Sequence, residues 1–240
     1  YRIDGAQRQG RWLVTCDHAT NHVPDWINGG DLGLPPADME RHIAFDPGAA
    51  GVAAHLATHL DSPAVYSKFS RLVIDPNRGE ADPTVLMKLY DGTIIPANRH
   101  AGAADKADRL DRLHRPYHGA VAELAARRDD TVYCAVHSFT PQLRGRALRP
   151  WEIGVLYADD ARLAHPLIAA CEAAGWVTGD NEPYVGHLPG DAVDRHALRH
   201  GRANVLIELR QDLIADAAGQ ERWAARLAPI LEHVLAQSGL

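Results

Sequence analysis

The chain has 240 residues, of which 46% are hydrophobic, and its formal net charge is -6. This size and composition allow one large hydrophobic core, so we predict a single domain spanning residues 1–240. Lysine and arginine are scattered along the chain and form no basic run, which argues against a nucleic-acid partner.

Cysteine usage and hydropathy bear on where the protein works. The three cysteines, Cys16, Cys134 and Cys171, are an odd number, and two of them lie inside predicted core strands. Buried free thiols are typical of a reducing compartment. No apolar stretch approaches the roughly 18 residues that a membrane span needs. We therefore expect a cytoplasmic protein that has no disulfide and no membrane partner.

Strand-like and helix-like patterns alternate along the chain. This alternation predicts an α/β fold with a central, mixed but mostly parallel sheet and helices on both faces. Two long irregular segments, 77–104 and 180–201, are expected to shape a site. Strands are predicted at 12–16, 63–67, 71–75, 131–136, 153–157 and 204–209, with another near 176–178, and helices at about 38–60, 105–128, 160–174 and 216–237.

Two histidines stand where predicted buried strands give way to loops. Trp12-Leu-Val-Thr-Cys-Asp leads to His18, and Thr131-Val-Tyr-Cys-Ala-Val leads to His137. Because the carboxyl ends of parallel strands meet at one edge of a sheet, the two imidazoles can converge there. Neutral imidazole is the commonest metal ligand, and a catalytic zinc typically takes three protein ligands. The pair predicts a divalent metal site, although each histidine taken alone could be structural.

Three residues are candidates for the third ligand. Asn21 and His22 follow His18 closely enough to close a chelate if the loop turns sharply. Asp46, in His42-Ile-Ala-Phe-Asp46-Pro, offers a hard carboxylate oxygen, which suits zinc better than an amide does.

The segment Ser70-Arg71-Leu-Val-Ile-Asp75-Pro-Asn77-Arg78 is a second candidate region. An arginine in a turn can grip a carboxylate with two parallel hydrogen bonds, so Arg78 is a candidate substrate clamp. The alternative is a surface ion pair between Arg78 and Asp75 or Asp82.

A third candidate is Glu208, which interrupts the apolar run Asn204-Val-Leu-Ile-Glu208-Leu-Arg210. A carboxylate on a buried strand must be paired, bound to metal or shifted in pKa. Glu208 is therefore a candidate general base, and an ion pair with Arg210 or Arg202 is the alternative. His118, His187, His196 and Ser138 are weaker candidates for orienting a ligand or polarising a carbonyl.

The order of these motifs resembles the N-formylglutamate amidohydrolase family over about residues 11–214. Asp75-Pro-Asn77-Arg78 is also similar to the Asp-x-Asn-Arg element with which related enzymes grip a substrate carboxylate. The motifs are Cys16-Asp-His18-Ala-Thr-Asn21, His42-Ile-Ala-Phe-Asp46-Pro-Gly-Ala, Ser70-Arg71-Leu-Val-Ile-Asp75-Pro-Asn77-Arg78, Pro116-Tyr117-His118, Val136-His137-Ser138-Phe139 and Ile207-Glu208-Leu-Arg210-Gln-Asp212-Leu.

The resemblance implies a fold like that of zinc exopeptidases and aspartoacylases (phosphorylase/hydrolase-like) and a metal-dependent amidohydrolase. Its relatives use a His-x-x-Glu pair, whereas Asn21 stands at the fourth position here, so Asp46 is favoured as the third ligand. The implied substrate is a small anionic N-acyl amino acid such as N-formylglutamate. The implied roles are His18, Asp46 and His137 as ligands of a divalent metal, most simply Zn²⁺; Glu208 as general base; His196 or Arg71 as oxyanion donor; and Arg78, Asn77, Arg71, Ser138 and Arg210 as substrate-binding residues.

Two other functions are compatible with these motifs. One is a non-catalytic protein that binds a metal or an acidic metabolite, and the other is a carboxypeptidase or amidase for peptide-like material. A general base beside the metal favours the enzyme, because a binding protein does not need one. No pattern in the sequence indicates an oligomeric state.

Overall fold

A seven-stranded mixed sheet forms the centre of the computed structural model, which describes residues 1–240. A separate two-stranded hairpin, β4 and β5, lies outside this sheet. The strands are β1 (Arg2–Asp4), β2 (Trp12–Cys16), β3 (Ala64–Tyr66), β4 (Leu89–Tyr90), β5 (Thr93–Ile94), β6 (Val132–Phe139), β7 (Ile153–Leu156), β8 (Thr178–Asp180) and β9 (Asn204–Arg210).

The order across the sheet is β1-β3-β2-β6-β9-β7-β8. The four strands β3, β2, β6 and β9 are parallel to one another, whereas β1 pairs antiparallel with β3 and β7 antiparallel with β9. The predicted α/β fold with a mixed, mostly parallel sheet is therefore confirmed. Its parallel centre brings the carboxyl ends of β2, β6 and β9 to one edge.

Helices cover both faces of the sheet, and side chains alternate between the two cores as the strand pleat requires. Val14 of β2 packs in one core with α2, α5 and α7. Its neighbour Leu13 packs in the other core with α4 and α6. None of the helices is both long enough and apolar enough to cross a bilayer. The helices are α1 (Pro36–Met39), α2 (Ala49–His59), α3 (Ala103–Arg109), α4 (Arg115–Ala125), α5 (Ala164–Ala173), α6 (Ala192–His196) and α7 (Ala217–Gln237).

The predicted strand at 71–75 is wrong, because this segment forms consecutive turns that are buried without joining a sheet. Its backbone carbonyls are satisfied by side chains from distant parts of the chain. Asn98 Nδ2 donates to the carbonyl of Leu72 (2.7 Å), and Arg109 Nη1 donates to that of Val73 (2.9 Å). An apolar run can thus be buried outside a sheet when buried polar side chains replace the ladder.

The predicted helix boundaries also need correction. The segment 38–60 contains two helices, α1 and α2, with turns between them. The segment 105–128 is divided among α3, a π-helical turn at Leu110–His114, and α4. The helix predicted at 160–174 begins only at Ala164, and the strand predicted near 176–178 lies at Thr178–Asp180. The alternation of elements was predictable, but the places where loops interrupt a periodic pattern were not.

Strand register determines which side chains meet near the sheet edge. His137 lies within β6, which continues to Phe139, rather than in the loop that we predicted. It is paired directly with Glu208 of β9, and Glu208 is paired on its other side with Gly154 of β7. The imidazole and the carboxylate therefore occupy neighbouring positions in adjacent strands.

Candidate active site

A cavity of about 210 Å³ opens at the carboxyl ends of β2, β6 and β9. Concave sites at this edge of parallel sheets are where α/β proteins usually bind small molecules. One part of the wall is polar and another is apolar. The polar lining includes His18, Asp46, Arg71, Asn77, Arg78, His137, Ser138 and Glu208, and the apolar lining includes Leu156, Val185, Leu188 and Leu206.

Two histidines and one aspartate converge at the floor of the cavity. Asp46 Oδ2 lies 3.3 Å from His18 Nδ1 and 2.9 Å from His137 Nδ1. The Asp46 amide also donates to the carbonyl of His18 (2.9 Å), which ties the two segments together. All three residues are buried, and one ligand atom from each lies within 4.8 Å of the others.

The outer nitrogen of each imidazole faces a further buried carboxylate. His18 Nε2 lies 2.7 Å from Asp75 Oδ1, and His137 Nε2 lies 3.2 Å from Asp17 Oδ2. The hydroxyl of Tyr117 donates to the other oxygen of Asp17. In histidines that bind a metal, such an outer carboxylate keeps the ring proton on the outer nitrogen and leaves the lone pair of the inner nitrogen for the metal.

The centre of this arrangement favours a positive charge. Two inward Nδ1 lone pairs would otherwise face the lone pairs of Asp46 without a proton or ion between them. Burial disfavours the charged imidazole, but hydrogen bonds to Asp17 and Asp46 outweigh it and raise the pKa of His137 well above its ordinary value. The protein without an ion thus holds a proton where a metal ion fits.

If both histidines are neutral, the charges of Asp17, Asp46, Asp75 and Arg71 also favour a bound cation. Burial alone would raise the pKa of Asp17, Asp46 and Asp75, yet the neighbouring histidines, with Arg71 beside Asp75, lower all three. Three buried carboxylates and one buried guanidinium leave two negative charges. Two neutral histidines and a carboxylate suit a divalent cation, so this His-Asp-His group could hold a metal ion.

Of the three candidates for the third ligand, only Asp46 lies beside the histidines. The Asn21 amide instead donates to the carbonyl of Met39 (3.0 Å) and to Glu40 Oε1 (3.1 Å). The side chain of His22 is exposed to solvent.

Glu208 is buried and keeps one carboxylate oxygen, Oε2, without a hydrogen-bond partner. The alternative of a structural ion pair is wrong: Arg210 binds Asp212 (2.7 Å), and Arg202 donates to the carbonyl of His196 (2.8 Å). Burial, with the nearby Asp46, raises the pKa of Glu208 to about 7. This carboxyl group can therefore exchange a proton near neutral pH.

The two arginines of the 70–78 segment have different surroundings. Arg71 is buried and binds Asp75 Oδ2 through Nε (3.2 Å) and Nη2 (2.9 Å). Arg78 lines the cavity and has no carboxylate within 4.0 Å, so its predicted surface pairing with Asp75 or Asp82 is wrong. Its guanidinium donates only to the carbonyl of Asn77 (2.7 Å) and to Thr84 Oγ1 (3.3 Å).

Two other predicted site residues lie outside the cavity. Arg210 is committed to Asp212 and to the carbonyls of Pro150 and Trp151. His196 is buried behind the Asn77–Arg78 loop, where its Nε2 lies 2.8 Å from His118 Nδ1.

His118 in turn contacts the carbonyl of Pro76 through Nε2 (2.9 Å), and His114 contacts that of Arg78 (3.0 Å). Burial lowers the pKa of His196 to about 3. These three histidines therefore support the loop that carries Arg78 and do not face the cavity.

Ser138, another predicted site residue, does line the cavity. Its amide lies 3.3 Å from Asp46 Oδ2, and its hydroxyl donates to the carbonyl of Pro47 (2.8 Å). Asp17 and Asp75, the partners of the histidines, and Tyr117, which donates to Asp17, were not predicted from the sequence. An acidic residue directly before His18 was the available signal.

A parallel-sheet edge that combines a buried His-Asp-His group, an unpaired carboxylate and a guanidinium without a carboxylate partner is typical of an enzyme of the hydrolase type. The family model for N-formylglutamate amidohydrolase matches residues 10–215. The chain therefore belongs to the N-formylglutamate amidohydrolase family and is a hydrolase that acts on amides. The family resemblance seen in the motifs is confirmed.

Two solved structures are similar over nearly the whole chain. The crystal structure of a gene product from Agrobacterium tumefaciens is 34% identical, with a TM-score of 0.94, and the match covers 100% of this chain and 96% of that one. The N-formylglutamate amidohydrolase from Ralstonia eutropha is 18% identical, with a TM-score of 0.70 and 96% of each chain covered, and it supports the fold alone. No curated protein matches the chain significantly.

The buried pair of Arg71 and Asp75 predicts a large stability effect. We expect Arg71→Met to lower the free energy of unfolding by about 3–5 kcal/mol, because it leaves buried carboxylates without their cation. Arg112 and Asp108 form a pair with the same i,i+4 spacing on the surface, so Arg112→Met is the matched control. It should cost less than about 1 kcal/mol. Urea unfolding measures both, and equal losses would contradict the role assigned to Arg71.

Proposed function

We propose that this protein hydrolyses the amide bond of a small N-acyl amino acid, such as an N-formyl amino acid, in a metal-dependent reaction. The observation that carries the proposal is the buried carboxylate of Glu208, whose Oε2 has no hydrogen-bond partner and whose side chain lines the same cavity as the His-Asp-His group. A binding protein would not need a buried carboxylate without a partner beside a metal site, because such a group costs stability.

His18, Asp46 and His137 are the proposed metal ligands, and Zn²⁺ fits their two nitrogens and one carboxylate oxygen. When bound, zinc lowers the pKa of a water molecule and polarises a carbonyl group. Asp17 and Asp75 hold the imidazoles in the ligand tautomer from the outer side.

Glu208 is the proposed general base and acid. Its carboxylate takes a proton from the attacking water, and the water oxygen forms a bond with the acyl carbon. The carboxyl group of Glu208 then returns this proton to the leaving nitrogen as the C–N bond breaks, which gives a carboxylate and a free amine. A pKa of about 7 suits both transfers near neutral pH.

Arg78 and Asn77 are the proposed substrate clamp. Arg78 is the only arginine of the cavity wall without a carboxylate partner, since Arg71 is held by Asp75. Its planar guanidinium matches the substrate carboxylate, while Ser138 and Arg71 complete the polar wall. We assign no substrate contact to His196 or Arg210, which lie outside the cavity.

The small cavity favours a free N-acyl amino acid over a polymer. A volume of about 210 Å³ accommodates one amino acid derivative rather than several peptide or glycan residues. We therefore do not favour peptide-like or cell-wall material as substrate.

The metal ligands are tested by metal content. Wild-type protein purified without chelator should contain about one equivalent of a divalent ion, and His137→Ala should lose it together with activity, because a three-residue site cannot spare a ligand. His233→Ala removes an exposed histidine of α7 and serves as the control. Elemental analysis measures the metal content of the three proteins. A His137→Ala protein with full metal content would exclude this residue as a ligand.

The clamp is tested by Arg78→Lys, which keeps the charge but loses the planar fork. Losing one charge-assisted hydrogen bond is worth about 1.5–3 kcal/mol, so KM should rise by about 10- to 100-fold with a smaller change in kcat. Arg99→Lys, on the exposed surface, is the control. Steady-state kinetics on an accepted substrate measure the effect, and an unchanged KM would rule out the clamp.

The base is tested by Glu208→Gln, which preserves the shape of the side chain. We expect kcat to fall by about 10²–10⁴-fold, as is typical when general acid–base catalysis is lost. Metal content and thermal stability should remain, because Glu208 has no ion-pair partner to leave behind.

Glu123→Gln, on the exposed side of α4, is the matched control. Turnover, metal content and thermal unfolding are measured on the same preparations. A stable, metal-loaded Glu208→Gln protein with wild-type turnover would refute the mechanism.

A further inference from the structure

We propose that the substrate carries a single carboxylate and an apolar side chain, so that an N-acylated aliphatic amino acid is preferred over N-formylglutamate. This inference rests on the proposed function and specifies the substrate class of the same cavity. It follows from the number of uncommitted cations in the wall and from the surface opposite them.

The cavity offers one free cation for a substrate carboxylate. Arg71 and Arg78 are the two arginines in the wall, and the wall contains no lysine. Arg71 is held by Asp75 at 2.9 Å and lies 3.6 Å from Asp46 Oδ1. The imidazole of His42 faces Asp91, with Nε2 3.5 Å from Oδ2. One carboxylate can therefore bind Arg78, and a second would have no partner.

The part of the wall beside His137 and Glu208 is apolar because of strand register. Leu206 lies two residues before Glu208 in β9 and thus on the same face of the sheet. Its partners are Ala135 in β6 and Leu156 in β7, so an aliphatic row lies directly beside the row of His137 and Glu208. A substrate side chain that lies along this row meets methyl groups.

The segment 181–188 extends this apolar wall and is held against β7. Its residues Val185 and Leu188 line the cavity. The side-chain oxygen of Asn181 accepts from the amide of Tyr157 (3.0 Å). At Gly186, an added Cβ would lie 2.0 Å from the carbonyl oxygen of Tyr157, so only glycine allows this close approach. The segment forms a fixed wall of the cavity.

The carboxylate of Asp191 adds to the discrimination against a second substrate carboxylate. Asp191 lines the cavity and is buried, where its side chain accepts from the amides of Leu188 (2.8 Å) and Asp194 (2.8 Å). A second substrate carboxylate near the apolar wall would lie close to Asp191 and without a cation. Leaving such a charge unpaired in a buried site is costly.

Three ligands of the same shape test this inference: N-formylglutamate, N-formylglutamine and N-formylhomoleucine, whose side chains have equal numbers of heavy atoms in the same branching. Binding to the metal-loaded Glu208→Gln protein is measured by calorimetry, and kcat/KM is measured with the wild type. We expect homoleucine to be preferred over glutamine and glutamine over glutamate. The two extremes should differ by at least about tenfold, within the range that apolar pockets achieve.

A charge added to the wall should change this order. Val185 is 70% exposed and lines the cavity, so Val185→Arg supplies a second cation with little risk to folding. It should raise the preference for N-formylglutamate over N-formylhomoleucine at least tenfold. Leu148 is also 70% exposed and lies outside the cavity wall, so Leu148→Arg is the matched control and should leave the ratio unchanged.

The outcomes separate this inference from the proposed function. Equal or tighter binding of N-formylglutamate by the Glu208→Gln protein overturns the inference, even if the wild type hydrolyses all three ligands. The same holds if none of them binds, or if Val185→Arg and Leu148→Arg change the ratio alike. Selective binding of N-formylhomoleucine without turnover by the wild type supports the inference and contradicts the proposed hydrolysis.

Discussion

The structure of the site depends on one electrostatic constraint: two buried imidazoles lie between carboxylates on both sides. Asp17 and Asp75 bind the outer nitrogens, while Asp46 faces both inner ones. Carboxylates on both sides of a ring are stable in a low-dielectric interior only if a positive charge lies between them. At His137 the neighbouring carboxylates raise the pKa and so favour a proton, and the His-Asp-His group could hold a metal ion in its place. Asp17 and Asp75 therefore contribute to cation binding as much as the proposed ligands do.

The sheet tolerates this concentration of buried charge because its two faces have different environments. On one face, Val205 and Ile207 of β9 pack in an apolar core with α2 and α7. On the other face, Leu206 and Glu208 of the same strand face the cavity. Because neighbouring residues of a strand point to opposite faces, one apolar core anchors the strand that presents the base. The stability lost to buried charge on one face is offset by apolar burial on the other.

The sequence indicated those site residues that interrupt or end an apolar strand. His18, His137 and Glu208 were visible in this way, since a polar residue beside a buried strand needs a reason to be there. Asp17 and Asp75 were not assigned roles, because their partners are distant in sequence and only the fold brings them together. The same limit explains the incorrect strand at 71–75. Its pattern is that of a strand, but its carbonyls are satisfied by residues 26 and 36 positions away.

Arg71 and Arg78 show why specificity is harder to predict than reaction class. Both arginines flank the same apolar run, and the local sequence does not show which of them has a buried partner. Three-dimensional position gives Arg71 a buried partner in Asp75, whereas Arg78 lines the cavity without a carboxylate partner. The reaction class depends on residue types that a motif preserves, namely two histidines and two carboxylates. The number of substrate carboxylates depends instead on how many cations the folded protein leaves uncommitted. Proteins of one family can therefore share a reaction and still prefer substrates with different side chains.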